Sequence, residues 1–263
     1  MITNPTSPDD PGTTNVVVYS AIGASDANGV GSSAPCLPYA TCPDGMGYVP
    51  VMARKYTTAG KVVTVQNLGV AGAVVSKTIQ NLGHNILINF ISDEMPFVKT
   101  DATLVTVFAG GNDSNTLASA MRDGVGAPDQ TAWLNSQIAN FGKDMTTLVN
   151  GIKARAPKAR IVILNLPNLA ALPYSSGLSL GEKRTLQTIA VGLNAQINAT
   201  QNLGTTVVDM MCDSRLYSPS IFSNDGFHPN DSGYALFADL LYSAASTTAS
   251  TAPKSSCSFM SVY

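Results

Sequence analysis

The residues best suited to chemistry are a serine near the start of the chain and an aspartate–histidine pair near its end. Ser25 lies in the turn GASD (23–26), directly after an apolar run. His228 lies in the segment SNDGFHPN, and Asp225 precedes it by three residues. At this spacing a carboxylate can accept a hydrogen bond from imidazole Nδ1–H, which leaves Nε2 to act as a base toward a serine hydroxyl. These residue types indicate nucleophilic catalysis by serine.

A phosphate-binding role of the serine turn can be tested by the spacing of its glycines. A dinucleotide-binding fingerprint that starts at Gly23 needs glycines where Ser25 and Asn28 stand, and the chain has no Gly-Lys-Ser/Thr phosphate loop. A serine that only caps the following helix remains an alternative. The second histidine, His84, has no acidic residue nearby in the sequence and is expected to be a surface or packing residue.

Two further turns carry hydrogen-bond donors. QNLGVAGA (66–73) contains Gly72, and FAGGNDSN (108–115) contains Asn112. An outward-facing glycine N–H and an asparagine amide are donors that could stabilise the oxyanion of an acyl-transfer reaction. Each turn taken alone is equally compatible with a purely structural role.

The elements that would position these residues form a repeating pattern of strands and helices. Five apolar runs predict buried strands of a parallel sheet: NVVVYSAI (15–22), KVVTVQNL (61–68), TLVTVFAG (103–110), RIVILNLP (160–167) and TTVVDM (205–210). Apolar residues at helical spacing follow within 138–152, 186–197 and 234–241. This alternation predicts a three-layer, doubly wound α/β fold with helices on both faces of the sheet. The segments 33–60 and 114–131 are expected to be loops that wall a cleft.

The composition of the chain limits its domain organisation and the kinds of partner that it can bind. The chain has 263 residues, 44% hydrophobic content, 12% charged residues and a net charge of −2, so it has no basic surface for nucleic acid. No apolar run reaches the roughly 18 residues of a membrane span. We expect a flexible leader at 1–13, one domain at 14–246 and a tail at 247–263. The leader lacks the features of a signal peptide.

The four cysteines indicate an oxidising compartment. Cys36 and Cys42 bracket the short loop CLPYATC, while Cys257 lies in a Ser/Thr-rich tail and Cys212 is the remaining partner. Two disulfides are favoured over buried free thiols, which predicts a secreted or periplasmic protein. The cysteines lack paired CxxC spacing, so no zinc site is expected.

The four turns, in this order along the chain, resemble the four sequence blocks of SGNH hydrolases, also called the GDSL esterase/lipase family. The resemblance implies that Ser25 is the nucleophile, His228 the general base and Asp225 the residue that orients it. It also implies an oxyanion hole formed by the N–H groups of Ser25 and Gly72 and the side-chain amide of Asn112. The implied sheet is flavodoxin-like, and no cofactor or metal is required.

One residue departs from the family pattern: the first block reads Gly-Ala-Ser-Asp, with Ala24 where an aspartate usually stands. That aspartate is outside the triad, so the departure concerns the turn more than the chemistry. The expected activity is hydrolysis of small-molecule or carbohydrate carboxylic esters. Deacetylation of an acetylated polysaccharide at the same site is one alternative. A carbohydrate- or surface-binding module that has lost catalysis is another.

Overall fold

The computed structural model describes residues 15–83, 85–247 and 251–263. The strands are β1 (Val16–Ile22), β2 (Val62–Asn67), β3 (Leu104–Phe108), β4 (Arg160–Leu164) and β5 (Thr206–Val208). The α-helices are α1 (Ser25–Asn28), α2 (Tyr48–Thr58), α3 (Lys77–Leu82), α4 (Gly111–Arg122), α5 (Gln130–Arg155), α6 (Leu180–Ala199) and α7 (Asp231–Ser246). The predicted strands and the three predicted helices are confirmed.

The five strands form one parallel sheet in the order β2-β1-β3-β4-β5. Val16 lies opposite Val62 in the first pair, and Leu104 lies opposite Arg160 in the third. This is the flavodoxin-like order, in which the chain reverses direction across the sheet between β1 and β3. The carboxyl ends of all the strands meet at one edge, and the switch point places the turns after β1, β2 and β3 side by side.

Both faces of the sheet are buried, which explains the continuous apolar character of its strands. In β4, Ile161 and Ile163 pack into the core beneath α3 to α6, whereas Val162 and Leu164 pack into the core beneath α2 and α7. Alternate side chains of a strand point to opposite faces, so a strand covered on both sides needs apolar residues at every position. The predicted three-layer architecture is confirmed.

The prediction of loops at 33–60 and 114–131 is wrong in part, because α2 and most of α4 lie within these segments. Pro50 falls in the first turn of α2, where a missing N–H costs nothing, and Met52 and Tyr56 of that helix are buried. The α4 helix starts with poor helix formers, but it buries Leu117 and Ala120. Tertiary packing stabilises both helices despite their turn-like sequences.

The two favoured disulfides are both present, linking Cys36 to Cys42 and Cys212 to Cys257. The second bridge joins the C-terminal residues to the segment that follows β5. The expected leader at 1–13 and the histidine His84 lie outside the described residues. Within the described parts of the chain, no helix is both long and apolar enough to cross a membrane.

Candidate active site

The turn after β1 places Ser25 at the edge of the sheet, as the first residue of α1. The turn is tight: a Cβ atom built on Gly23 would lie 2.9 Å from the Cβ of Ala27. Ser25 is 6% exposed. At the first position of a helix the backbone N–H has no intrahelical acceptor, so the N–H of Ser25 is available to a ligand.

The structure brings Ser25, His228 and Asp225 together, although His228 lies far away in the sequence. His228 Nε2 is 2.9 Å from Ser25 Oγ, and His228 Nδ1 is 2.6 Å from Asp225 Oδ2. His228 lies in the loop between β5 and α7. Asn230 caps α7 by accepting hydrogen bonds from the N–H groups of its first turn, which fixes the end of this loop.

The carboxylate of Asp225 is held in its ionised form by four hydrogen bonds. Burial alone would raise its pKa, but the His228 ring, the N–H groups of Phe227 and His228 and the hydroxyl of Ser223 together lower the pKa to about 2. An ionised Asp225 favours the His228 tautomer that carries its proton on Nδ1, and this tautomer leaves a lone pair on Nε2 facing the serine.

Gly72, in the turn after β2, and Asn112, at the start of α4, line the same cleft of about 360 Å³. Gly72 has a φ of +84°, a left-handed conformation that favours glycine, and a Cβ built there would meet no atom within 4 Å. Asn112 is the second residue of α4, and its side-chain Nδ2 donates to the carbonyl oxygen of Ala73 at 2.9 Å. An amide nitrogen carries two hydrogens, so the second remains for another acceptor.

Two buried carboxyl groups brace these turns, and neither is predicted by the sequence pattern. Glu94 Oε2 accepts from the N–H of Gly23 at 3.0 Å, and burial raises the pKa of Glu94 well above its usual value. Asp113 Oδ1 accepts from the N–H of Val75 at 3.0 Å, and burial raises the pKa of Asp113 to about 7. Asp113 follows Asn112 directly, whereas nothing near Glu94 in the sequence indicates its contact with the serine turn.

A third carboxyl group, Asp26, immediately follows Ser25. Burial raises the pKa of Asp26 to about 6, although the nearby His228 has the opposite, smaller effect. Among the residues that the structure describes, no group of three or more His, Cys, Asp or Glu side chains could hold a metal ion. The arrangement offers a serine hydroxyl, an imidazole and several N–H donors at one edge of the sheet.

The sequence from residue 21 to residue 236 matches the GDSL-like Lipase/Acylhydrolase family. The chain therefore belongs to this family. A comparison with curated protein sequences finds no match.

Solved structures of enzymes share the fold at low sequence identity. An extracellular lipase from Streptomyces rimosus is 19% identical, with a TM-score of 0.60 over 87% of this chain and 99% of that chain. A phospholipase A1 from Streptomyces albidoflavus is 20% identical, with a TM-score of 0.56 over 87% of this chain and 99% of that chain. An acetylxylan esterase from Geobacillus stearothermophilus is 13% identical, with a TM-score of 0.57 over 96% of this chain and 100% of that chain.

Proposed function

We propose that the protein is a serine carboxylester hydrolase in which Ser25, His228 and Asp225 act as a triad. The observation that carries the proposal is the hydrogen-bonded series from Asp225 through the His228 ring to Ser25 Oγ, with separations of 2.6 Å and 2.9 Å. Family membership supports a hydrolase of this kind. The solved relatives include a lipase and an acetylxylan esterase, and both names describe ester hydrolysis.

In the proposed reaction, Ser25 Oγ attacks the ester carbonyl carbon while His228 Nε2 takes the serine proton. The negative charge that develops on the carbonyl oxygen is stabilised by the N–H groups of Ser25 and Gly72 and by the Asn112 amide. His228 then gives its proton to the leaving alcohol, and the acyl group stays on Ser25. Water attacks this acyl-enzyme in the same way, which releases the carboxylic acid and regenerates the serine.

The alternative of a binding module without catalysis is disfavoured by the same geometry. A site released from catalysis would have no need to keep the serine, the imidazole and the carboxylate within hydrogen-bonding distance of one another. Deacetylation of a polysaccharide uses the same residues and differs only in the substrate. The two disulfides, which form in oxidising compartments, support secretion.

Turnover of p-nitrophenyl acetate by the purified protein tests the proposal. We expect hydrolysis by the unaltered protein and its loss in Ser25→Ala. As a matched control, Ser33→Ala removes a serine hydroxyl that bonds Asp231 instead of His228, and it should keep activity. Equal turnover by the Ser25→Ala protein would contradict the assignment of the nucleophile.

A further inference from the structure

Glu94 carries a buried carboxyl group that the proposed reaction does not use. It is the last residue of a single turn of π-helix, Phe90–Glu94, which lies between α3 and β3 in the chain. Glu94 is 0% exposed. Burying a carboxyl group costs free energy unless hydrogen bonds compensate for the lost water. The hydrogen bond that compensates for it here comes from the turn that carries Ser25.

The backbone of Gly23 is held on both sides. Its N–H donates to Glu94 Oε2 at 3.0 Å, and its carbonyl oxygen accepts from the N–H of Val70 at 3.2 Å. Ser25 follows Gly23 by two residues, and Val70 precedes Gly72 by two residues. Gly23 therefore lies where the turn of the proposed nucleophile meets the turn of a proposed oxyanion donor. The Glu94 oxygen completes this junction, because it binds the hydrogen-bonding group of Gly23 that Val70 leaves free.

The start of the π-helical turn is bonded to the residues that follow Gly72. The N–H groups of Phe90 and Ile91 donate to the carbonyl oxygens of Val74 and Val75 at 2.9 Å and 3.3 Å, respectively. The Phe90 side chain is buried in the core. One short turn is thus attached at its start to the segment after β2 and at its end to the turn after β1. Because the turn is short and packed, it keeps these two segments at a fixed separation.

The surroundings of Glu94 favour the uncharged carboxyl group. Burial raises the pKa of Glu94 well above its usual value, and the neighbouring Asp93 acts in the same direction. The N–H groups of Gly23 and Val70 have the opposite, smaller effects on this pKa. Within the described parts of the chain, no cationic side chain forms an ion pair with Glu94. A neutral acceptor oxygen is therefore sufficient at this position, and an amide side chain supplies one.

We propose that Glu94 is a positioning residue of the reaction: by holding the N–H of Gly23, its carboxyl oxygen sets the position of Ser25 relative to the oxyanion donor Gly72. This inference rests on the proposed function. Glu94 acts through the backbone of Gly23 and not on the substrate. A misplacement of about 1 Å can lower the rate of an enzyme by about 10²-fold. The contact should therefore affect kcat as well as stability.

Three variants of Glu94 test the inference by hydrolysis of p-nitrophenyl acetate, at a temperature where melting curves show each variant to be folded. Glu94→Gln keeps an acceptor oxygen at the same distance along the side chain and should keep most of kcat. Glu94→Asp is one methylene shorter, which withdraws its oxygens from Gly23, and Glu94→Ala has no acceptor. Both should lower kcat by about 10²-fold. KM should change much less, because the substrate-binding groups are retained.

Asp93→Ala is the matched control. Asp93 belongs to the same π-helical turn and accepts from the N–H of Asn89 at 2.7 Å. Among the described residues it makes no hydrogen bond to the turn of Ser25, so this variant should lower the melting temperature without lowering kcat. The rate at which a fluorophosphonate labels Ser25 should fall in Glu94→Asp in parallel with kcat, since the affected step is attack by the serine.

The outcomes separate the inference from the proposed function. Equal kcat in the Gln and Asp variants of Glu94 would overturn the positioning role, and this comparison does not depend on whether Glu94→Ala folds. A loss of kcat in Asp93→Ala as large as that in Glu94→Asp would also overturn it, because the turn as a whole would then be responsible. Absence of Ser25-dependent turnover by the unaltered protein would instead overturn the proposed function.

Discussion

The side-chain amide of Asn112 donates a hydrogen bond to the carbonyl oxygen of Ala73, which joins the start of α4 to the turn after β2. Gly72 is the neighbour of Ala73, so this hydrogen bond holds the Asn112 amide close to the N–H of Gly72. Both groups are proposed oxyanion donors. It also fixes the plane of the amide and therefore the direction of its second N–H. The same side chain thus has a structural contact and a proposed catalytic one.

Replacing Asn112 by alanine should lower kcat by about 10²–10³-fold, the usual effect of removing one oxyanion-hole donor. KM should change much less, because the donor bonds most strongly to the charge that develops in the transition state. Steady-state kinetics on one activated ester, with a melting curve measured in parallel, check this expectation. A nearly normal kcat with a lowered melting temperature would leave Asn112 with the structural contact alone.

A fluorophosphonate should add once per chain, at Ser25, because the proposed base lies 2.9 Å from that hydroxyl. Peptide mapping by mass spectrometry locates the label. His228→Gln should slow the labelling strongly without unfolding the protein. Full activity after treatment, or a label on another serine, would count against the assignment.

Asp225→Asn should lower kcat by about 10³–10⁴-fold while the protein stays folded, since an amide can hold the imidazole in the wrong tautomer. The pKa of Asp225 is about 2, so the carboxylate is ionised throughout the pH range of the assay. Asp213→Asn is a matched control, because Asp213 pairs with Arg215 rather than with the histidine. Wild-type rates in the Asp225→Asn protein would show that another group orients the His228 imidazole.

Asp113 should make the protein less stable as the pH rises. Its pKa is about 7 in the folded chain against an ordinary value of 3.8, so between pH 4 and pH 7 the folded state binds more protons than the unfolded state. The stabilising contribution is complete below pH 4 and is lost as the pH rises to 7. Each pKa unit corresponds to about 1.4 kcal/mol.

Denaturant unfolding of the Asp113→Asn protein at several pH values measures this effect. The free energy of unfolding of the variant, relative to the unaltered protein, should increase from pH 4 to pH 8, because asparagine stays neutral. Asparagine also keeps an oxygen that can accept from the Val75 N–H. If the difference in free energy of unfolding between the two proteins stays constant from pH 4 to pH 8, Asp113 does not cause the pH dependence.

The Cys212–Cys257 disulfide should stabilise the fold more than Cys36–Cys42. The two bridges close loops with sequence separations of 45 and 6 residues, respectively. On the chain-entropy model, loops of these lengths correspond to roughly 4 and 2 kcal/mol. Unfolding of the paired serine variants, Cys212→Ser with Cys257→Ser and Cys36→Ser with Cys42→Ser, compares them. A larger loss from the short loop would contradict the expectation.

The sheet could be predicted because each buried strand is a run of apolar residues with few interruptions. The helices α5, α6 and α7 could be predicted because their buried residues recur at helical spacing. The helices α2 and α4 could not, since Pro50 and the GGND turn indicate a loop when only the local sequence is considered. Their stability depends on packing against the sheet.

The candidate site divides in the same way. Ser25 and the pair formed by Asp225 and His228 have local signatures, and the structure places them within hydrogen-bonding distance. Glu94 has no such signature. Glu94 reaches Gly23 across 71 positions of sequence. Such contacts depend on the folded arrangement rather than on residue type.

Ser25 and His228 are separated by 203 positions, so the proposed triad is assembled from the two ends of the domain. A nascent chain that has emerged from the ribosome as far as β5 already has the serine and the sheet edge, but it has no base. The chain therefore cannot hydrolyse esters by the proposed mechanism during nearly all of its synthesis. In refolding experiments, recovery of ester hydrolysis should report the docking of the segment before α7, later than signals that follow formation of the sheet.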